Sequence, residues 1–172
     1  MSPLAERVLE LAAKEVGTRE EGGRNCGPRV AQYLAAVGLP PGHPWCAAFC
    51  YFILDKAARE LKLNTACPRT GKVVRMWKRG SLWVASHPSP GSVFIHLTDP
   101  EDPETTGHCG IVESVGGTHL VTIEGNTNQA GSREGDGVYR KMRPTLGSNY
   151  ITGYLDFAKQ DGNEDPTVSG RA

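Results

Sequence analysis

The chain has 172 residues, with nineteen Lys and Arg against nineteen Asp and Glu, for a formal net charge of zero. That length supports one core burying about two-thirds of the unfolded surface without disulfide or metal staples, and the scattered, balanced charges argue against nucleic acid or an anionic membrane as partner. With 38% hydrophobic residues, 21 Gly and 12 Pro, the composition excludes a wholly disordered chain and favours a turn-rich, sheet-containing fold over a helical bundle.

In chain order, Leu4, Val8, Leu11 and Ala12 share one face of a first helix over residues 3–16. Ser2 is placed to cap it, Pro3 to start it and Gly17 to stop it. Pro28 opens a second helix through Val30, Leu34 and Val37, ended by Gly38 and the Pro40-Pro41-Gly42 turn. Trp45 to about Leu61 reads as a third helix, apolar nearly all round in its first half and therefore buried in the core. Its longest apolar run, Trp45 to Leu54, is about half of the roughly 20 residues that a membrane helix needs. A fourth helix is expected around Lys72 to Lys78.

From Leu82 onward the pattern becomes strand-like: residues 82–85, 92–97, 109–115, 120–124, 137–141 and 151–156, separated by short turns that imply antiparallel neighbours. Helices followed by strands make an α+β domain over residues 1–158. Residues 159–172 lack apolar periodicity and read as a flexible tail. The N-terminus has no basic start followed by an apolar stretch, so synthesis without a secretory signal is expected. Five cysteines, Cys26, Cys46, Cys50, Cys67 and Cys109, are an odd number at irregular spacing, which predicts at least one free thiol.

Two segments carry chemistry. Cys46, in Pro44-Trp45-Cys46-Ala47-Ala48-Phe49, stands in the first turn of a helix. There the unpaired N–H groups and the positive end of the macrodipole favour thiolate over thiol. Taken alone it reads better as a small buried hydrophobe. Downstream, two alternating runs hinge at Gly116-Gly117, so that His108 and Glu124 lie about equally far from the turn, with Asn126 two residues on. A two-residue loop would pair His108 with Gly125 and turn Glu124 to the opposite face, so an odd loop or a bulge is required. Cys109 and Ile111 then share the buried face with Val121 and Ile123, and His108, Glu124 and Asn126 share the other.

A cysteine at a helix start, a strand histidine and an acid with an asparagine on the next strand form a nucleophile, base and orienter set. The same residues carry a resemblance. Val16-Gly17-Thr18-Arg19-Glu20-Glu21, Asn25-Cys26-Gly27-Pro28, Pro44-Trp45-Cys46-Ala47-Ala48-Phe49, Ser89-Pro90-Gly91-Ser92-Val93, Gly107-His108 and Ile123-Glu124-Gly125-Asn126, in that order over roughly residues 8–157, resemble a CHAP domain, the cysteine, histidine-dependent amidohydrolase/peptidase family. The resemblance implies a papain-like α+β fold and hydrolysis of an amide bond in bacterial peptidoglycan, as a muramoyl-alanine amidase or a stem or cross-bridge endopeptidase. It implies Cys46 as nucleophile, His108 as base and then acid, Glu124 as orienter and Asn126 as a further polar contributor. No cofactor or metal is implied. The expected setting is a monomeric phage-type lysin, made in the cytoplasm and acting on the wall; a delivered effector, a cytoplasmic cysteine amidase and an idle wall-binding module are the alternatives. Trp45 precedes the cysteine where many family members carry a nearby Gln, and no Asp-rich calcium loop precedes it.

Other residues have plainer readings. Cys46, Cys50, His108 and Cys109 can be drawn as a zinc site, but adjacent strand residues point to opposite faces. Asp99, Glu101, Asp102 and Glu104, like Glu20, Glu21 and Asn25, read as solvated loops without the ligand spacing of a calcium site. Trp77 and Trp83 read as hydrophobic anchors. His43, His87, His96 and His119 have no assigned partner.

Overall fold

A computed structural model describes residues 1–130, 135–145 and 151–159. Four helices, α1 (Pro3–Glu15), α2 (Pro28–Ala36), α3 (Cys46–Glu60) and α4 (Val73–Arg79), precede six strands: β1 (Val84–Ala85), β2 (Val93–Leu97), β3 (Gly107–Val115), β4 (His119–Thr127), β5 (Gly137–Pro144) and β6 (Gly153–Leu155). The strands form one antiparallel sheet in the order β1-β6-β2-β3-β4-β5, which confirms the α+β class with the helices first.

Local chemistry sets the helix starts. Ser2 Oγ accepts the Ala5 N–H at 3.1 Å and donates to the Ala158 carbonyl at 2.7 Å, so one hydroxyl caps α1 and ties it to the far end of the described chain. Pro28 occupies the first turn of α2, where its missing N–H costs nothing. Buried Ala47, Ala48, Phe49, Cys50, Ile53, Leu54, Ala57 and Ala58 make α3 the central helix, with α1, α2 and one face of the sheet against it. Cys109, Ile111 and Ile123 line that sheet face. The opposite face carries a smaller cluster of Phe94, Val112, Leu120 and Tyr154.

Several expected element bounds shift. Residues 81–83 form a 3-10 turn, leaving only Val84 and Ala85 to pair with β6, and Trp45 caps α3 instead of beginning it. The last strand contracts to Gly153–Leu155, while β4 and β5 run on to Thr127 and Pro144. Most of the expected tail lies outside the described residues. Among the described residues no helix is long and apolar enough to cross a membrane.

The β3–β4 hairpin contains the bulge that its parity demands. Ile111 faces Ile123 and Val112 faces Thr122, but beyond Glu113 the pairing slips to Ser114 with Val121 and Val115 with Leu120. The slip returns His108 and Glu124 to one face of the sheet.

Candidate active site

Cys46 is the first residue of α3 and is 6% exposed. The N–H groups of that turn have no intrahelical acceptor. His108, on the second residue of β3, is 2% exposed, and its Nε2 is 2.8 Å from Glu124 Oε2. Its other ring nitrogen, Nδ1, is buried without a hydrogen-bond partner among the described residues, and the Cys46 sulfur is its ionisable neighbour. The imidazole therefore stands between a thiol and a carboxylate.

Glu124 is fully buried and held from three sides. Arg143 donates through Nε to Oε1 at 2.8 Å and through Nη2 to Oε2 at 2.6 Å, and the Thr122 hydroxyl donates to Oε1 at 2.5 Å. Such a fork orients the carboxylate as well as neutralising it. Burial alone would raise its pKa, but Arg143 and then His108 outweigh burial and lower it to about 2. His108 is likewise pushed down by burial, and the Cys46 and Glu124 charges outweigh that, raising it to about 10. The Cys46 thiol is held well below the ordinary range, first by the Cys109 thiol donating to it, then by His108 and the Ala47 N–H, against burial. Both shifts favour a thiolate–imidazolium pair over the neutral pair.

Two glycines create the space for this arrangement. Gly110 lies beside Glu124, and a Cβ there would come within 2.6 Å of Glu124 Cγ and 2.8 Å of Phe94 Cε1. Gly125 packs under the start of α3, where a Cβ would meet Trp45 Cζ3 at 2.7 Å and Phe49 Cβ at 2.8 Å. Close sheet-to-helix approach at Gly125 brings β4 against the turn that presents Cys46.

Asn126 departs from the expected face. Its φ of 57° and the register shift between Glu124 and Thr127 turn the side chain to the helix start instead of the imidazole. Asn126 Oδ1 accepts the Trp45 N–H at 2.9 Å, while Nδ2 donates to Asn25 Oδ1 at 3.1 Å and to the Gly135 carbonyl at 3.3 Å. Asn25, also left-handed at φ 56° and buried, donates from Nδ2 to the Gly42 carbonyl and from its backbone N–H to Glu20 Oε2 at 2.8 Å. Glu20 Oε1 accepts the Trp45 indole N–H at 2.8 Å. The expected solvated loop at Glu20 and Asn25 is therefore a polar clamp on the residue preceding the nucleophile. Trp45 itself is fully buried and stacked on Tyr33 with ring centroids 5.4 Å apart.

Cys109 lies on the buried face, with its Sγ 3.8 Å from Cys50 Sγ, and all five cysteines are free. Among the described residues no three His, Cys, Asp or Glu converge as a metal site. Sequence reasoning missed Arg143, Thr122, Asn25 and Glu20. Thr122 was accessible through strand parity with Glu124; Arg143 depended on the register of β4 with β5, in which it lies opposite Leu120.

The chain belongs to the CHAP domain family, whose model matches residues 38–126, just over half of the chain. The family comprises amide-bond hydrolases, amidases and peptidases, and the matched span contains Cys46, His108, Glu124 and Asn126. Among solved structures, the crystal structure of Ly7917 is similar at 16% identity with a TM-score of 0.50, covering 88% of this chain and 61% of that one. This is a likeness of fold, and the chain spans about 61% of that protein's length. No curated protein matches the chain.

Proposed function

We propose that the protein hydrolyses an amide bond of bacterial peptidoglycan through a thioacyl intermediate, as an N-acetylmuramoyl-L-alanine amidase or a stem or cross-bridge endopeptidase. The observation that carries this reading is the buried Cys46, His108, Glu124 series opening on a cleft of about 580 Å³, with Cys46 and Asn126 in its lining. Membership of the CHAP family supports the bond class.

The Cys46 thiolate attacks the carbonyl carbon, and the oxygen becomes an oxyanion facing the N–H groups of the first turn of α3. His108 gives its proton to the departing amine as the C–N bond breaks, leaving a thioester on Cys46 and a neutral imidazole. That imidazole then takes a proton from water, whose oxygen attacks the thioester. The C–S bond breaks, the carboxylic product leaves, and thiolate and imidazolium are restored. Glu124 orients the ring and stabilises its charge throughout, as the acid of a catalytic triad does. Asn126 holds the Trp45 N–H and so positions the nucleophile's turn.

The test is digestion of purified sacculi by wild type and Cys46→Ala, with mass spectrometry of the soluble fragments. Release by wild type alone is expected, with a loss of at least about 10³-fold in the variant. The new termini distinguish amidase from endopeptidase. Equal release by both proteins would overturn the assignment. The setting we attach to this activity is that of a phage-type lysin reaching the wall on release from the cytoplasm. Expression in a bacterium should then cause lysis only when its membrane is permeabilised.

A further inference from the structure

The cleft beside Cys46 is cationic although the whole chain is neutral. Among the described residues, Arg24, Arg69, Lys72, Arg75 and Arg79 line it, against the single carboxylate of Glu104. Lys72, Arg75 and Arg79 are spaced i, i+3 and i+7, so the residue that caps α4 and two residues of the helix turn one basic face to the cleft, while Val74 and Met76 turn the other into the core. Lys72 is matched by Glu104 at 2.6 Å. Arg69 is anchored through Nε to the Ala36 carbonyl at the end of α2, at 2.7 Å, which braces its guanidinium at the rim. Arg75 and Arg79 are exposed and make no hydrogen bond or ion pair among the described residues. Val37, Leu39, Pro44 and Val73 give the same cleft an apolar wall.

Two guanidiniums with no hydrogen-bonded partner among the described residues, beside an apolar wall and in a concavity with the nucleophile, suit a short ligand with aliphatic parts and a free carboxylate. A long polyanion would call for a basic surface extending beyond the cleft, which the neutral chain does not favour. We infer that this cleft is the substrate's peptide subsite and that Arg75 and Arg79, with Arg69, bind a free carboxylate of the peptide whose amide is cut. The inference rests on the amide-hydrolase reading of Cys46 and adds the charge of its substrate.

The experiment uses probes that do not depend on wall cleavage. Alkylation of Cys46 by anionic iodoacetate and by neutral iodoacetamide is followed by peptide mass spectrometry at low salt in wild type and in Arg75→Gln/Arg79→Gln. The iodoacetate-to-iodoacetamide rate ratio should fall by roughly threefold in the double variant, and 0.5 M salt should remove the difference. A short peptide with a free C-terminal carboxylate should protect Cys46 from iodoacetamide at about tenfold lower concentration than its C-terminal amide, and the double variant should abolish that preference. Equal ratios in the two proteins, or equal protection by acid and amide, would overturn the inference. Stronger protection by polyphosphate than by the carboxylate peptide would overturn it in favour of a phosphate polymer. The two readings fail separately: inert sacculi with charge-dependent alkylation remove the wall substrate and keep the carboxylate subsite, whereas digested sacculi with charge-independent alkylation do the reverse.

Discussion

At the scale of single residues, the chemistry depends on keeping two opposite charges in a buried place. Neither Cys46 nor His108 would ionise there alone, because burial opposes each charge; each is the other's counter-ion, and Glu124 adds a second negative charge on the far side of the ring. The reactive form exists between protonation of the thiolate and loss of the imidazolium proton. The profile of kcat/KM should therefore be a bell whose acid limb lies well below the usual thiol pKa of about 8.5 and whose alkaline limb falls near the His108 value of about 10. Glu124→Gln removes one of the two anions that raise His108. It should draw the alkaline limb down by about one pH unit or more and lower kcat by about 10²-fold or more. Arg143→Gln acts on the same ring through Glu124, so its alkaline limb should move while KM changes little; an unmoved limb in a folded variant would remove Arg143 from the positioning chain.

At the scale of elements, the site forms where the start of one helix meets the start of one strand and the end of the next. Cys46 owes its place to α3, His108 to β3 and Glu124 to β4, and the glycine surfaces let these elements touch. Gly125→Ala puts a methyl group against Trp45 and Phe49 and should cost about 1–3 kcal/mol of stability, read by urea unfolding. Gly110→Ala crowds Glu124 and Phe94 instead, so it should lower kcat more than its stability loss would suggest. The helices and the hairpin were legible because their signals are local: the spacing of Leu4, Val8 and Leu11, the prolines at helix starts, and the alternation about Gly116-Gly117. Parity alone required an odd loop or a bulge in that hairpin, and the structure supplies a bulge at Glu113. Asn126 was misplaced for the complementary reason. A left-handed residue after Gly125 breaks the alternation on which the expectation rested, and nothing local in the sequence announces it. Arg143, Asn25 and Glu20 were illegible because each meets the site through pairings of chain segments far apart in sequence.

At the scale of the whole molecule, the buried charges tie folding to pH, and the sign follows from which way each pKa moves. Glu124 sits near 2 in the folded protein against about 4.3 unfolded. Its contribution is thus fully present above about 4.3 and is lost as pH falls toward 2, amounting to about 3 kcal/mol. His108 moves the other way, from about 6.5 to about 10, so its contribution is complete below about 6.5 and disappears as pH rises through 10. The Cys46 contribution, from a lowered pKa, is complete above about 8.5 and declines as pH falls below it. Between about 6.5 and 8.5 the slopes of His108 and Cys46 oppose each other, and their joint effect on stability should be nearly flat. Cys46→Ala removes one slope and also the anion that holds His108 up. Urea unfolding of wild type and Cys46→Ala from pH 6 to 9 should therefore give a nearly flat wild type and a variant whose stability falls above about 6.5 and then levels off, because Glu124 alone keeps part of the upward shift of His108. A variant whose stability falls undiminished to pH 9 would mean that His108 keeps its full shift without the thiolate, so that the two are not coupled in the folded protein, and the ion pair on which the proposed mechanism starts would have to be abandoned.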